Sequence, residues 1–515
     1  MKAVMRWFAM FAGVVLGVGV PSEAPAVGRQ CRWNVSEVPV YVNLSSFASR
    51  GYTTNEVIGA VSNAMQAWNV EGQSNFRFYY GGDSSLTSAA SGTVLIVADT
   101  GPVFCWLAQA TFSSPVCGQS TITVFDKTND GCLSQPLTYQ PDAPDTLTWS
   151  LTNILVHELG HSTGFTDDPG NPLTVMQGAG APLNPASLHL YNADISLLQN
   201  GDPAFGITGY LRRNNPILGM ESTDGVTWTN LPGGSLGGTA YRPAIAASAT
   251  HKVLAFVDTT PSAINGIATR RFSAGVWSAA TPVGSGAVTG VALAYGGGRY
   301  VLAFTSPADT RDVKVRTSLD GLAWSAEISV GGGAGTQSAP GIAYNAGQGR
   351  FNLFWTDIND DRLRYATSTD GAIWTAPSGL GTGRELFALD GAAAACIGGA
   401  CLLVWPSWNT YGGLGMPLCT MKYIAAGAAL SFESMNCQTV DSARSPGLAV
   451  NPATGRFVVV RAGRDANNSL SASYKTLQTT SGWSAPVGMP WQNAAGVDVT
   501  FNPATNKFET YFADR

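Results

Sequence analysis

Charge is what this chain of 515 residues has least of. Only 12% of its residues are Asp, Glu, Lys or Arg, about half the share of an ordinary globular protein. The 29 Lys and Arg do not outnumber the 34 Asp and Glu, and the net charge is −5. That excludes the basic footprint expected of a nucleic-acid-binding or anionic-membrane-binding protein. Long apolar runs are also lacking: the best, residues 7–20, is short for spanning a bilayer. None of the 8 Cys has zinc-finger spacing, so a structural zinc is not expected. Histidine is scarcest, with 4 in the whole chain.

The apolar run at the start reads as a secretory signal over residues 1–26. Lys2 and Arg6 precede it, and Ala24-Pro25-Ala26 offers small residues for cleavage. Lys2, Arg6 and Glu23 leave with it, so the net charge becomes −6. The expectation is a secreted, extracellular protein with no membrane span after signal removal. In that compartment an even number of Cys reads as disulfides, two per domain. Cys396–Cys401 and Cys419–Cys437 are the preferred late bridges. Cys105–Cys117 with Cys31–Cys132 is the early assignment.

Two of the four His fall in His157-Glu158-Leu159-Gly160-His161, followed by Gly164 and Asp167. On a helix, His157 and His161 project from one face and can share a metal. Glu158 sits beside the first His, where its carboxylate can reach a metal-bound water. Gly164 lets the chain leave the helix in a left-handed turn and deliver Asp167 as third ligand. Three protein ligands and an open position are the arrangement of a catalytic Zn2+. Asp168 competes with Asp167 at a less suitable spacing. Leu151, Ile154, Leu155 and Leu159 give the helix its apolar face.

Met176 follows this motif by about ten residues. With it, the chain resembles the metzincin zinc endopeptidases, whose extended zinc motif is followed by a turn carrying a Met beneath the metal. Asp167 in place of a third His makes it similar to snapalysin-type variants. The resemblance, with matrixin-like features, covers residues 30–204. It implies an α+β catalytic domain and a secreted zinc-dependent endopeptidase acting on a protein or peptide substrate. Glu158 would then be the general base. It further implies that an edge strand through Trp106, Leu107 and Ala108 holds extended substrate by main-chain pairing. The strands expected beside it are 38–42, 76–80, 94–97, 107–111 and 122–125, with a capping box at Thr53 and Glu56 opening a helix.

From about residue 205 the composition shifts to short strands rich in Gly, Ser, Thr and aromatics. A repeat of about fifty residues appears. Its first half begins at Ala244, Val291, Ile342, Ala392, Leu448 and Val497. Its second half centres on Ser-x-Asp-Gly-x-x-Trp, intact at residues 222–228, 318–324 and 368–374, with worn copies ending at Trp277, Phe432 and Trp483. These copies resemble the Asp-box hairpins of sialidase-type propellers, in which the Trp packs between blades. The array opens with a second half and closes with a first half. Those two fragments would complete one blade, giving an all-β six-bladed propeller over residues 205–515 with the ring locked by both ends.

Tyr241-Arg242-Pro243 is faintly similar to the sialidase arginine motif, but no arginine cluster or nucleophilic Tyr with a Glu partner can be assembled. The propeller is therefore expected to be an accessory module with a glycan or protein ligand. Two alternatives to the endopeptidase stand beside it: a glycan-directed protein with a sialidase-like or lectin propeller, and an inactive protease-like adhesin. Residues 357–361, rich in Asp, make Ca2+ a second candidate ion.

Overall fold

The computed structural model describes most of residues 31–514. The longer segments it leaves out are 100–107, 126–150, 168–175, 177–189, 381–390 and 408–416. Residues 1–26, expected to be a secretory signal, lie outside the described residues. So do Trp106, Leu107 and Asp168, along with Cys105 and Cys132.

The N-terminal region is a mixed sheet with helices. Its strands are β1 (Glu37–Val42), β2 (Arg77–Asp83), β3 (Val94–Asp99), β4 (Ala108–Phe112) and β5 (Ser120–Phe125), in the order β2-β1-β3-β5-β4. All pairs are parallel except β4 with β5, so β4 is an antiparallel edge among the described strands. β1 alternates exposed or half-buried with buried residues, the period-2 pattern of a strand with one face on the core. α1 (Leu44–Ala48) is capped by Asn43, whose side chain accepts from Ser46 N at 3.0 Å. α2 (Thr54–Gln66) opens with the expected capping box: Thr53 N donates to Glu56 Oε2 at 2.7 Å and Glu56 N to Thr53 Oγ1 at 3.3 Å. It runs on into a π-helical turn, Ala67–Glu71. Val57, Val61, Ala64 and Trp68 are buried as the periodicity requires. They share one core with the apolar residues of α3 (Leu151–Ser162).

The disulfide in this region is Cys31–Cys117. The Cys105–Cys117 and Cys31–Cys132 assignment is thereby corrected. Cys31 and Cys117 are brought together by β1 and the turn before β5, a proximity that sequence spacing cannot encode. The late bridges, Cys396–Cys401 and Cys419–Cys437, are those expected.

From Asn215 onward the chain forms a six-bladed propeller. Five blades follow the chain, and their innermost strands are Ala244–Ala247, Val291–Gly296, Gly341–Asn345, Ala393–Ile397 and Gly447–Asn451. The sixth is built from both ends. The strand Lys507–Asp514 pairs antiparallel with Asn215–Ser222 on one side, and with the end of Val487–Asn502 on the other. The beginning of that long strand pairs with Ser469–Thr476 and completes the preceding blade. Each innermost strand touches the next, closing the ring.

The ring is sealed by buried charge as well as pairing. Lys252 of the second strand in the Ala244 blade reaches Glu509 Oε2 at 2.5 Å. Asn502 Nδ2 and Tyr511 Oη donate to the same carboxylate at 2.7 and 2.9 Å. The Lys252 ammonium also lies 4.4 Å from the Phe272 ring centre. This ion pair, with two further hydrogen bonds on its carboxylate, links the last strand to the first blade at the seam.

The second halves of the repeat act between blades. In the intact copies the Asp carboxylate closes its own turn: Val226 N and Thr227 N both donate to Asp224 Oδ1 at 2.8 Å, and Gly225 N donates to Ser222 Oγ at 2.8 Å. Asp320 and Asp370 repeat the pattern. Gly225, Gly321 and Gly371 have φ of 74°, 76° and 71°. An added Cβ would meet Val458, Val253 and Val301, each on the second strand of the preceding blade. The aromatic that ends each copy packs the same way, worn copies included. Trp277 meets Tyr511, Phe432 meets Tyr365, and Trp483 Nε1 donates to Thr420 Oγ1 at 2.8 Å.

Candidate functional site

Two places gather chemistry. The first is the C-terminal end of α3. His157 and His161 stand one turn apart with ring centroids 4.7 Å from each other. Both Nε2 atoms point at Asp167 Oδ1, at 3.2 and 3.3 Å. The donor atoms of the three residues lie within 4.8 Å of one another, and among the described residues they are the group able to hold a metal ion. His161 Nδ1 is 2.8 Å from Phe165 O. Donation of Nδ1–H to that carbonyl leaves Nε2 with its lone pair free for a metal. The donor set, two imidazoles and a carboxylate, suits Zn2+.

The turn that delivers Asp167 is fixed by close packing. Gly164 has φ +93°, and a Cβ there would stand 2.4 Å from Cys31 O. The Cys31–Cys117 bridge therefore backs the loop. Trp33 Nε1 donates to Ser162 O and Trp68 Nε1 to Val156 O, both at 2.8 Å. Met176 is fully buried, and its Sδ would lie 2.3 Å from a Cβ added to Gly160. Met176 thus lies directly against the helix that carries both His.

Glu158 is 5% exposed, and its Oε2 is buried without a hydrogen-bond partner. Burial pushes its carboxyl up, against the pull of His157 and His161 and of the Ala110 backbone in β4. Asp167 is held well below the usual carboxylate range, first by its hydrogen bonds to His157 and His161. Of the three residues expected to pair with substrate, Ala108 opens β4, while Trp106 and Leu107 lie outside the described residues. Asp357, expected to help hold calcium, is engaged by Arg364 at 3.1 Å, and residues 358–361 lie outside the described residues.

The second place is the axis of the propeller. The six innermost strands are rich in alanine, and they surround a cavity of about 280 Å³. Small side chains such as Ala246, Ala294, Ala343 and Ala394 line the wall, so six strands converge and still leave a hollow. Near the beginning of those strands the cavity is closed by Arg242, 3% exposed. Its Nη2 binds Asp498 Oδ1 at 2.9 Å, and its Nη1 reaches Ala392 O at 3.4 Å, on the blade opposite across the ring. Ile245 N donates to Asp498 Oδ2 at 2.9 Å. Burial pushes the Asp498 carboxyl up, against Arg242 and Ile245 N. Arg242 Nε is buried with no partner.

The other end is framed by a ring of cross-strand pairs, one per blade: Ala247–Lys252, Tyr295–Tyr300, Tyr344–Phe351, Cys396–Cys401, Val450–Phe457 and Phe501–Phe508. The first member of each lines the cavity and is half-buried. Exposed Pro452 and Pro503 mark the mouth on this side. The Cys396–Cys401 bridge thus fills the slot that aromatic pairs fill in three of the other blades. Arg242 belongs to the Tyr241-Arg242-Pro243 segment noted in the sequence, whereas no local motif marks Asp498. The repeat did carry the rim as a signal: Tyr295, Tyr344 and Phe501 occupy equivalent positions before each first hairpin.

No family model and no curated protein matches this chain. Solved structures similar to it are β-propeller proteins of low identity. The Penicillium chrysogenum α-L-arabinanase complexed with arabinobiose is 14% identical over 59% of this chain and 98% of its own, with a TM-score of 0.40. The Arthrobotrys oligospora protein AofleA is 12% identical over 53% and 80%, at 0.39. The fucose-specific lectin of Aleuria aurantia is 15% identical over 51% and 85%, at 0.37. These are glycosidase and lectin neighbours, not metalloendopeptidases. The expectation of a metzincin-type zinc endopeptidase, of a metzincin fold and of a peptide substrate is corrected. The contiguous motif that prompted it specifies a cluster of donor atoms, and such a cluster does not by itself specify a reaction.

Proposed function

We propose that this is an extracellular glycan-directed protein whose propeller binds carbohydrate, with a metal-holding N-terminal region beside it. The observation that carries the reading is the axial cavity, apolar and aromatic at its rim and with one polar pair at its depth. Carbohydrate offers both matching surfaces: axial C–H faces for aromatic rings, and hydroxyls for a few fixed polar groups. The three disulfides among the described residues suit an oxidising compartment. No helix among the described residues is long and apolar enough to cross a membrane.

His157, His161 and Asp167 are proposed to hold one Zn2+. An ion bound there would act as a Lewis acid on a water or carbonyl oxygen. This chain's own residues position it: Phe165 O orients His161, Gly164 sets the turn, and Met176 supports the helix. Glu158, buried beside the ligands, can hold a proton close to that oxygen.

The test is a glycan array probed with the full mature chain, with and without chelator. Saccharide binding that survives chelation supports the propeller as binding module. A blank array with folded protein contradicts the reading. Zinc content by elemental analysis, near one per chain in the parent and lost in His161→Ala, checks the metal assignment separately.

A further inference from the structure

We propose that the axial cavity takes the terminal residue of a neutral saccharide, entering past Tyr295, Tyr344 and Phe501 and ending at Arg242 and Asp498. The inference rests on the glycan-directed reading and adds the place, the size and the charge of what is bound.

Place follows from which end is blocked. Arg242 spans the axis from its own blade to Ala392 on the opposite one, so nothing enters from that side without displacing a buried ion pair. The far end is bounded by first hairpins only, and its lining residues Pro452 and Pro503 are exposed. Size follows from the volume of about 280 Å³, at the lower edge of what small-molecule sites enclose. That suits one or two sugar rings and excludes a folded chain.

Charge follows from the lining. Arg242 is its one base and Asp498 its one acid, and they pair at 2.9 Å. The guanidinium charge is thereby neutralised, and a sugar acid entering would lose hydration with no unpaired cation to replace it. What remains is hydrogen-bonding capacity without net charge. Arg242 Nε is buried and unpartnered, and Thr500 lines the wall. At the rim, the C–H face of a pyranose carries partial positive charge and suits the negative face of an aromatic ring.

The experiment is calorimetric titration of the full mature chain with galactose, glucose and mannose, then with N-acetylneuraminic and glucuronic acids. The inference predicts that at least one neutral sugar binds about tenfold or more tighter than either acid. Tyr295→Ala and Phe501→Ala should each weaken that binding about tenfold, while Tyr295→Phe, which keeps the ring and the fold, should retain most of it. Binding of the acids alone would overturn the inference and leave the glycan-directed reading standing. Sugar binding unchanged in both alanine variants would overturn the proposed place. No binding of any sugar, together with a blank array, would remove both.

Discussion

The two candidate sites are built in opposite ways. At the end of α3, three donor atoms come from eleven consecutive residues, and their geometry depends on one helical turn and one glycine. On the propeller axis, the lining comes from six strands, and Arg242 meets a carboxylate 256 residues away. The local site is charged, and its left-handed turn falls at Gly164, where no other residue fits without strain. The distributed site is nearly all apolar, and its one ion pair is fully buried. The local site should therefore fail at single positions. The distributed one should keep its fold through most changes except those that uncouple its charges.

The largest expected effect lies in that exception. Asp498→Leu leaves a guanidinium buried without its partner and should cost about 3–5 kcal/mol, read as the denaturant midpoint. The paired change Arg242→Met with Asp498→Leu should recover most of that loss. If the single and double variants are equally destabilised, the cavity wall rather than the charge holds the axis.

Next comes Gly164→Ala, which puts a Cβ against the Cys31 carbonyl at positive φ. It should lower stability by about 1–3 kcal/mol and weaken zinc retention, with little effect on saccharide binding. A variant with parental zinc content would show that the turn does not set the ligand geometry.

Smaller again are the Asp boxes. Removing the Asp224 carboxylate strips the turn of its amide acceptor. Asp224→Ala should therefore cost about 1 kcal/mol, and Asp320→Ala and Asp370→Ala about as much. Their pH dependence has a defined sign. Burial raises the Asp224 carboxyl, but the amides of Thr227 and Val226 and the Ser222 hydroxyl pull it down to about 2. Asp320 and Asp370 are lowered chiefly by backbone amides. A depressed carboxyl stabilises the fold above its ordinary value of 3.8, and the contribution is lost as pH falls toward 2. Thermal melts between pH 5 and 2 should fall less steeply in the triple alanine variant than in the parent.

The same contrast explains what the sequence could reveal. His157, His161 and Asp167 fall within eleven residues, and helical spacing together with the Gly164 turn predicts that they meet. The propeller was legible because a fifty-residue period repeats its hairpins, and the split repeat required ring closure through Lys507–Asp514. Trp277, Phe432 and Trp483 kept their places between blades although their Asp boxes had decayed, because packing needs the aromatic and not the turn. Cys31–Cys117 was not legible, since it depends on how β1 and β5 sit in the sheet. Nor was Asp498, whose partner is set by the curvature of the whole ring. The function read from the His cluster did not hold, because a local motif reports donor atoms and leaves the chemistry of the rest of the molecule unspoken.

The most direct test of the central claim is amide hydrogen exchange of the full mature chain with and without the neutral saccharide it binds best. Added protection is expected only at the propeller axis, at residues 292–296, 342–345 and 498–502. Protection at residues 108–112 and 157–167 instead, with the axis unchanged, would contradict it.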